Sequence, residues 1–101
     1  MKVSESVKVT KGSDNVFEDL GFSADEAMNL KIRADLMLQL RSFIEAKGWT
    51  QQEAAAFFKE TQPRISNLIN GDISRFSVDK LLNMLAQAGM EVKLEVFSLS
   101  S

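Results

Sequence analysis

The chain has 101 residues, 45% of them hydrophobic and 26% charged, with a formal net charge of −2, which fits one soluble domain with a modest core. It contains neither Cys nor His, which excludes disulfides and thiolate metal sites and removes the commonest metal ligand and general base. No apolar run approaches the ~20 residues that a bilayer needs and the first residues form no signal peptide, so the expectation is a cytoplasmic protein without membrane, cofactor or metal.

Residues 1–14 read as an N-terminal arm. MKVSESVKVTKG alternates at Val3, Val7 and Val9 and carries Lys2, Lys8 and Lys11. It forms either a short strand or, the preferred expectation for an untethered terminus, a mobile arm. "VFEDLGF", Val16 to Phe22, predicts a compact turn or short helix anchored by Phe17, Leu20 and Phe22. Ser23 with Glu26 makes a capping-box signature, which opens a long helix ending at Lys47 before Gly48. Met28, Ile32, Leu36, Leu40 and Phe43 repeat at helical spacing and are expected to face the core. Leu30, Met37 and Leu38 lie off that stripe, which signals deep burial or a surface for another chain.

Thr50 with Glu53 forms a second capping box, opening an Ala-rich helix that runs to Phe58; Trp49 before it reads as a hydrophobic staple. Thr61 caps a third helix with Pro63 in its first turn, where the missing N–H costs little, and Gly71 ends it. Ser77 caps a fourth, carrying Val78, Leu81, Leu82, Leu85 and Ala88 and closed by Gly89. Residues 15–89 therefore form the helical domain. In the tail, 90–101, "MEVKLEVF" alternates at Val92, Leu94 and Val96 like a half-buried strand. A lone strand needs a ladder partner. The expected partner is the N-terminal segment or, preferred, its own copy in a second subunit, giving a two-fold dimer.

The sequence offers no histidine-based nucleophile pair and no glycine-rich phosphate loop, so no catalysis is assigned. Glu18 with Asp19 and Asp25 with Glu26 read as solvated or helix N-terminal charges. The third helix is more informative. Wound at ~100° per residue, Gln62, Pro63, Ser66, Asn67 and Asn70 share an arc of about 140°. Ile65, Leu68 and Ile69 lie opposite, with Arg64 at the border. A merely wetted face would more often carry Lys and Glu, which are better helix formers. Amides donate and accept together, which suits the edge of an adenine, and Pro63 offers an apolar patch to a thymine methyl. Ala55, in the middle of the preceding helix, allows a close crossing, and a turn of about three residues joins the two helices in helix-turn-helix geometry.

"TQQEAAAFFKETQPRISNLING", followed by "FSVDKLLNMLAQAG", resembles the phage Cro/repressor, or Xre-type, helix-turn-helix domain. The wider pattern from "NVFEDLG" to "MEVKLEV", about residues 15–97, is similar to single-domain regulators of the HigA antitoxin type. The resemblance implies a mainly all-α, five-helix repressor-like DNA-binding domain, dimeric on a palindromic operator in double-stranded DNA. By position it places Gln51 on a phosphate and Gln62, Pro63 and Asn67 at base-facing places. Thr61, Arg64, Ser66 and Asn70 flank them, and Arg75 reaches the backbone from the next loop. Lys59 stands where the turn often has glycine and is expected in a left-handed conformation. Pro63 replaces a polar reader, so specificity leans on Gln62, Asn67 and DNA shape.

Each residue also has a plainer reading. Gln51 extends a cap, Pro63 initiates its helix, Arg64 pairs with Glu60, and Asn70 serves the helix end. The charge balance is modest: Lys59, Arg64, Arg75 and Lys80 face Glu60, Asp72 and Asp79 within 59–80, so affinity for phosphates depends on placement and on dimerisation. Asp14, Glu18, Asp19, Asp25 and Glu26 form an acidic stretch without a base. The functional expectation is a homodimeric, sequence-specific repressor. The alternative is an antitoxin that neutralises a basic ribonuclease toxin through that acidic stretch while repressing its own operon. A protein-interaction scaffold without a DNA role is the third reading.

Overall fold

The structure is a computed structural model and describes residues 16–96. Among these are five α-helices: α1 (Val16–Asp19), α2 (Ala24–Lys47), α3 (Gln51–Phe58), α4 (Gln62–Ile69) and α5 (Val78–Gln87), with a 3-10 turn at Ile73–Arg75 between α4 and α5. The N-terminal arm lies outside the described residues.

Local chemistry sets the helix ends. Ser23 Oγ accepts the Glu26 N–H at 3.3 Å, but the Glu26 carboxylate takes the Ser23 hydroxyl at 3.1 Å, so this capping box is half made. At α3 both halves close: the Glu53 N–H reaches Thr50 Oγ1 at 3.1 Å, and the Thr50 N–H reaches Glu53 Oε1 at 2.8 Å. Thr61 and Ser77 cap α4 and α5 by one bond each, accepting from the N–H groups of Arg64 and Lys80. Gly48 closes α2 at φ 69°, in the left-handed region that a Cβ disfavours.

α2 is the backbone of the domain, and α5, α4 and the 3-10 turn pack along it. Its Leu36, Met37, Leu40 and Ile44 meet Phe58, Ile65, Leu68, Phe76, Leu81 and Leu85 in one core. Met37 thus belongs to the core, so of the two readings for the off-stripe residues it takes deep burial, whereas Leu38 is 54% exposed. Met28 departs from its expected core place and is 37% exposed, whereas Ala27 beside it is fully buried, so this turn of α2 faces the fold with Ala27 and not with Met28. The anchors expected in α1 also differ. Phe17 is half-buried, with its ring edge-on to Phe22 at 6.3 Å, but Phe22 is exposed and Leu20 is 68% exposed. A helix of one turn packs one side on α2 and leaves the residues after it at the surface. Trp49 packs against Phe57 with ring centroids 4.8 Å apart and edge-on to Phe43 at 5.7 Å, so it fixes the entry to α3 as a staple does.

The expected C-terminal strand is not formed: the described residues contain no strand. Met90 and Val92 pack against the core, while Leu94 is 54% and Val96 94% exposed. The alternation survives as packing of the first residues only. An extended segment with no second strand to ladder against has no reason to adopt regular β geometry.

Candidate nucleic-acid interface

Lys59 controls the angle between α3 and α4. It adopts φ 57°, ψ 45°, the one non-glycine residue at positive φ among those described. Its N–H bonds to the Ala56 carbonyl at 3.4 Å and the next N–H, of Glu60, bonds to the Ala55 carbonyl at 2.9 Å. This is a Schellman closure with lysine in the place glycine usually takes. The left-handed conformation expected there is present. The chain then reverses through Glu60 into the Thr61 cap, and the three residues Lys59, Glu60 and Thr61 separate α3 from α4. Ala54 and Ala55 are buried where the two helices pack, since only small side chains let helices approach closely.

Ile65 and Leu68 are fully buried and dock α4. That docking leaves Thr61, Gln62, Pro63 and Asn70 exposed and Ser66 and Asn67 half-buried. The Asn70 amide donates to Ser66 Oγ at 3.5 Å, and Asn67 uses its backbone carbonyl to accept the Asp72 N–H at 3.0 Å. Thr61, Pro63, Arg64 and Asn67 join Ser74 and Arg75 around an open concavity of about 450 Å³. Gln62, Ser66 and Asn70 are on the same helix but outside its lining, and Gln51 is exposed at the first position of α3.

The cations are unequal. Arg75 pairs through Nε with Asp72 at 3.1 Å and keeps a side chain 64% exposed. Arg64 is committed to the fold: Nη1 donates to the Arg75 carbonyl at 2.9 Å, Nε lies 3.8 Å from Glu60 Oε1, and Cζ stands 5.6 Å from the Phe76 ring centroid. Its plainer reading, pairing with Glu60, is the arrangement seen. Lys80 reaches the same Glu60 from α5.

Three contributors were not singled out in the sequence. Ser74 lines the concavity and donates to Asp72 Oδ1 at 2.9 Å; Asp followed two residues later by Ser is a local turn signal that could have found it. Lys80 carried no signal beyond its charge. Arg33 on α2 donates from Nη1 to the carbonyls of Ile73 and Phe76, both at 3.1 Å. No local pattern announces that contact.

Among the described residues no group of acidic side chains could hold a metal ion, and no helix is long and apolar enough to cross a membrane. No curated protein matches the chain significantly. A family model described as a helix-turn-helix domain matches residues 16–97, from α1 into the tail, and the chain belongs to this family of helix-turn-helix domains.

Proposed function

We propose that this protein is a sequence-specific transcriptional regulator that binds DNA as a homodimer and represses by occluding a promoter. The observation that carries the reading is the exposed amide-and-proline face of α4 beside the Arg75 turn. In the major groove, Gln62 and Asn67 would each present an amide to adenine N6 and N7, and Pro63 would meet a thymine methyl. Gln51 and Arg75 would hold phosphates on either side, with Thr61, Ser66 and Asn70 at the rim. Among the described residues the α4 face and its neighbouring turn offer few free cations, so useful affinity calls for two copies on half-sites ~34–36 Å apart.

The test is selection from a random duplex library, followed by gel shifts on the selected duplex and on DNA upstream of the gene. Asn67→Ala is expected to weaken binding about 10–100-fold at the selected sequence, the worth of one bidentate base contact, and to relax preference at one position. No selected sequence, or equal binding by wild type and Asn67→Ala, sinks the reading and leaves a protein-interaction scaffold.

A second reading, antitoxin activity, draws on a separate surface. Val16, Leu20, Phe22 and Met28 are exposed among Glu18, Asp19, Asp25 and Glu26, beside a groove of about 340 Å³ lined by Phe22, Asp25, Glu26, Asn29, Leu30 and Arg33. Apolar side chains in an acidic frame suit a basic protein partner. Co-expression with a small basic protein encoded beside this gene tests it: relief of growth arrest supports the role, and no complex on co-purification removes it.

A further inference from the structure

The turn Ile73–Phe76 carries Ser74 and Arg75 into the concavity; its ends are anchored by buried Phe76 and by Ile73, which packs half-buried against the core, while Ser74 and Arg75 between them are exposed. Arginines hold the backbone between these anchors. Arg33 on α2 donates to the Ile73 and Phe76 carbonyls, and Arg64 on α4 donates to the Arg75 carbonyl between them. The Arg64 guanidinium is fixed on its other sides by Glu60 and by the Phe76 ring. Glu60 is itself held by Lys80, and its side chain is only 12% exposed.

We propose that Arg64 is a positioning residue for nucleic-acid binding, not a phosphate ligand: it locks the Arg75 turn to α4 and so sets the spacing between base-facing Asn67 and backbone-facing Arg75. The inference rests on the DNA-binding reading above. Its physical basis is shape. A planar guanidinium satisfies a carbonyl, a carboxylate and a ring face at once, each along its own direction. An ammonium supplies the same charge without the fixed fork, so lysine cannot replace it here. At a phosphate contact lysine would serve well, as a point charge.

The test titrates the full chain against its selected duplex over a salt series, comparing wild type with Arg64→Lys, Arg64→Ala, Arg75→Ala and the double alanine variant. Positioning requires that Arg64→Lys and Arg64→Ala lose affinity alike, by about tenfold or more, the scale of a lost charge-assisted hydrogen bond. It also requires that Arg64→Ala change affinity by less than about twofold once Arg75 is alanine, because coupled residues are non-additive. Near-wild-type binding by Arg64→Lys, or losses that simply add, would overturn it. Hydrogen exchange of the DNA-free protein gives a separate readout. The Arg75 and Phe76 N–H groups bond to the Asp72 and Ile73 carbonyls at 3.2 Å each. In Arg64→Ala they are expected to exchange about fivefold faster or more while α2 and α5 core amides keep their protection. Unchanged exchange at these two amides overturns the lock whether or not the protein binds DNA. If the wild type selects no duplex, the DNA reading fails by itself and exchange alone judges the lock.

Discussion

Replacing Lys59 with glycine should stabilise this protein. Lys59 closes α3 at φ 57°, ψ 45°, where an L-residue's Cβ crowds the following carbonyl at a cost of roughly 1–2 kcal/mol. Glycine removes that crowding but gives up more unfolded-chain freedom, a penalty of roughly 0.5–1 kcal/mol. The difference favours Lys59→Gly by about 0.5–1 kcal/mol. For a domain of this size that is a rise of about 2–8 °C in Tm. Lys59 is exposed, and both of its closure hydrogen bonds are backbone bonds that glycine keeps. Lys59→Ala separates backbone from charge, since it discards the ammonium yet retains the Cβ, and it should bring no gain. Thermal and urea unfolding of the three proteins measure this. A fall in stability for Lys59→Gly, or an equal gain for Lys59→Ala, would show that left-handed strain at the turn is not the governing term.

Other outcomes follow from burial and capping. Leu68→Ala, at a fully buried site on the docked face of α4, should lower unfolding free energy by about 2–5 kcal/mol in denaturant titrations. Thr50→Ala breaks a reciprocal capping box and should lose about 1 kcal/mol, whereas Ser23→Ala, at a half-made box, should lose less by the same measurement. Leu20→Ser, at a residue 68% exposed, should leave stability within about 0.5 kcal/mol; a larger loss would mean that Leu20 is buried in solution by something outside this chain's described fold.

Much of this fold was written locally. Ser23, Thr50, Thr61 and Ser77 each stand where a helix needs an acceptor for its free N–H groups, and all four cap. These are interactions between residues three apart, so spacing alone reveals them. The two-faced character of α4 was legible for the same reason: its period places Ile65 and Leu68 together, and burying them turns Gln62 and Pro63 outward. The left-handed Lys59 followed from the resemblance, which puts this lysine where the turn of the motif often has glycine.

The periodic pattern said less about where α2 enters the core. Met28 leaves its expected core place, and of the off-stripe residues Met37 is buried while Leu38 is exposed, because burial depends on which other helices cover each turn of α2. The tail fails as a strand for a related reason. Alternation at Val92, Leu94 and Val96 specifies two faces, but a ladder requires a second strand, and the described fold supplies none.

The sequence by itself determined the helices, their ends, and which face of α4 points outward, since these depend on neighbours within one or two turns. Only the tertiary structure decided what the cations do. Arg64 and Arg75 look alike in "TQPRISNLINGDISRF", yet one is held by Glu60, Phe76 and a carbonyl while the other stays largely exposed. Arg33, 40 residues before the carbonyl it holds, joins them only because α2 passes beneath the turn. Such contacts arise from chain segments brought together by packing, and a guanidinium's partners are fixed by that geometry, whatever its neighbours in sequence.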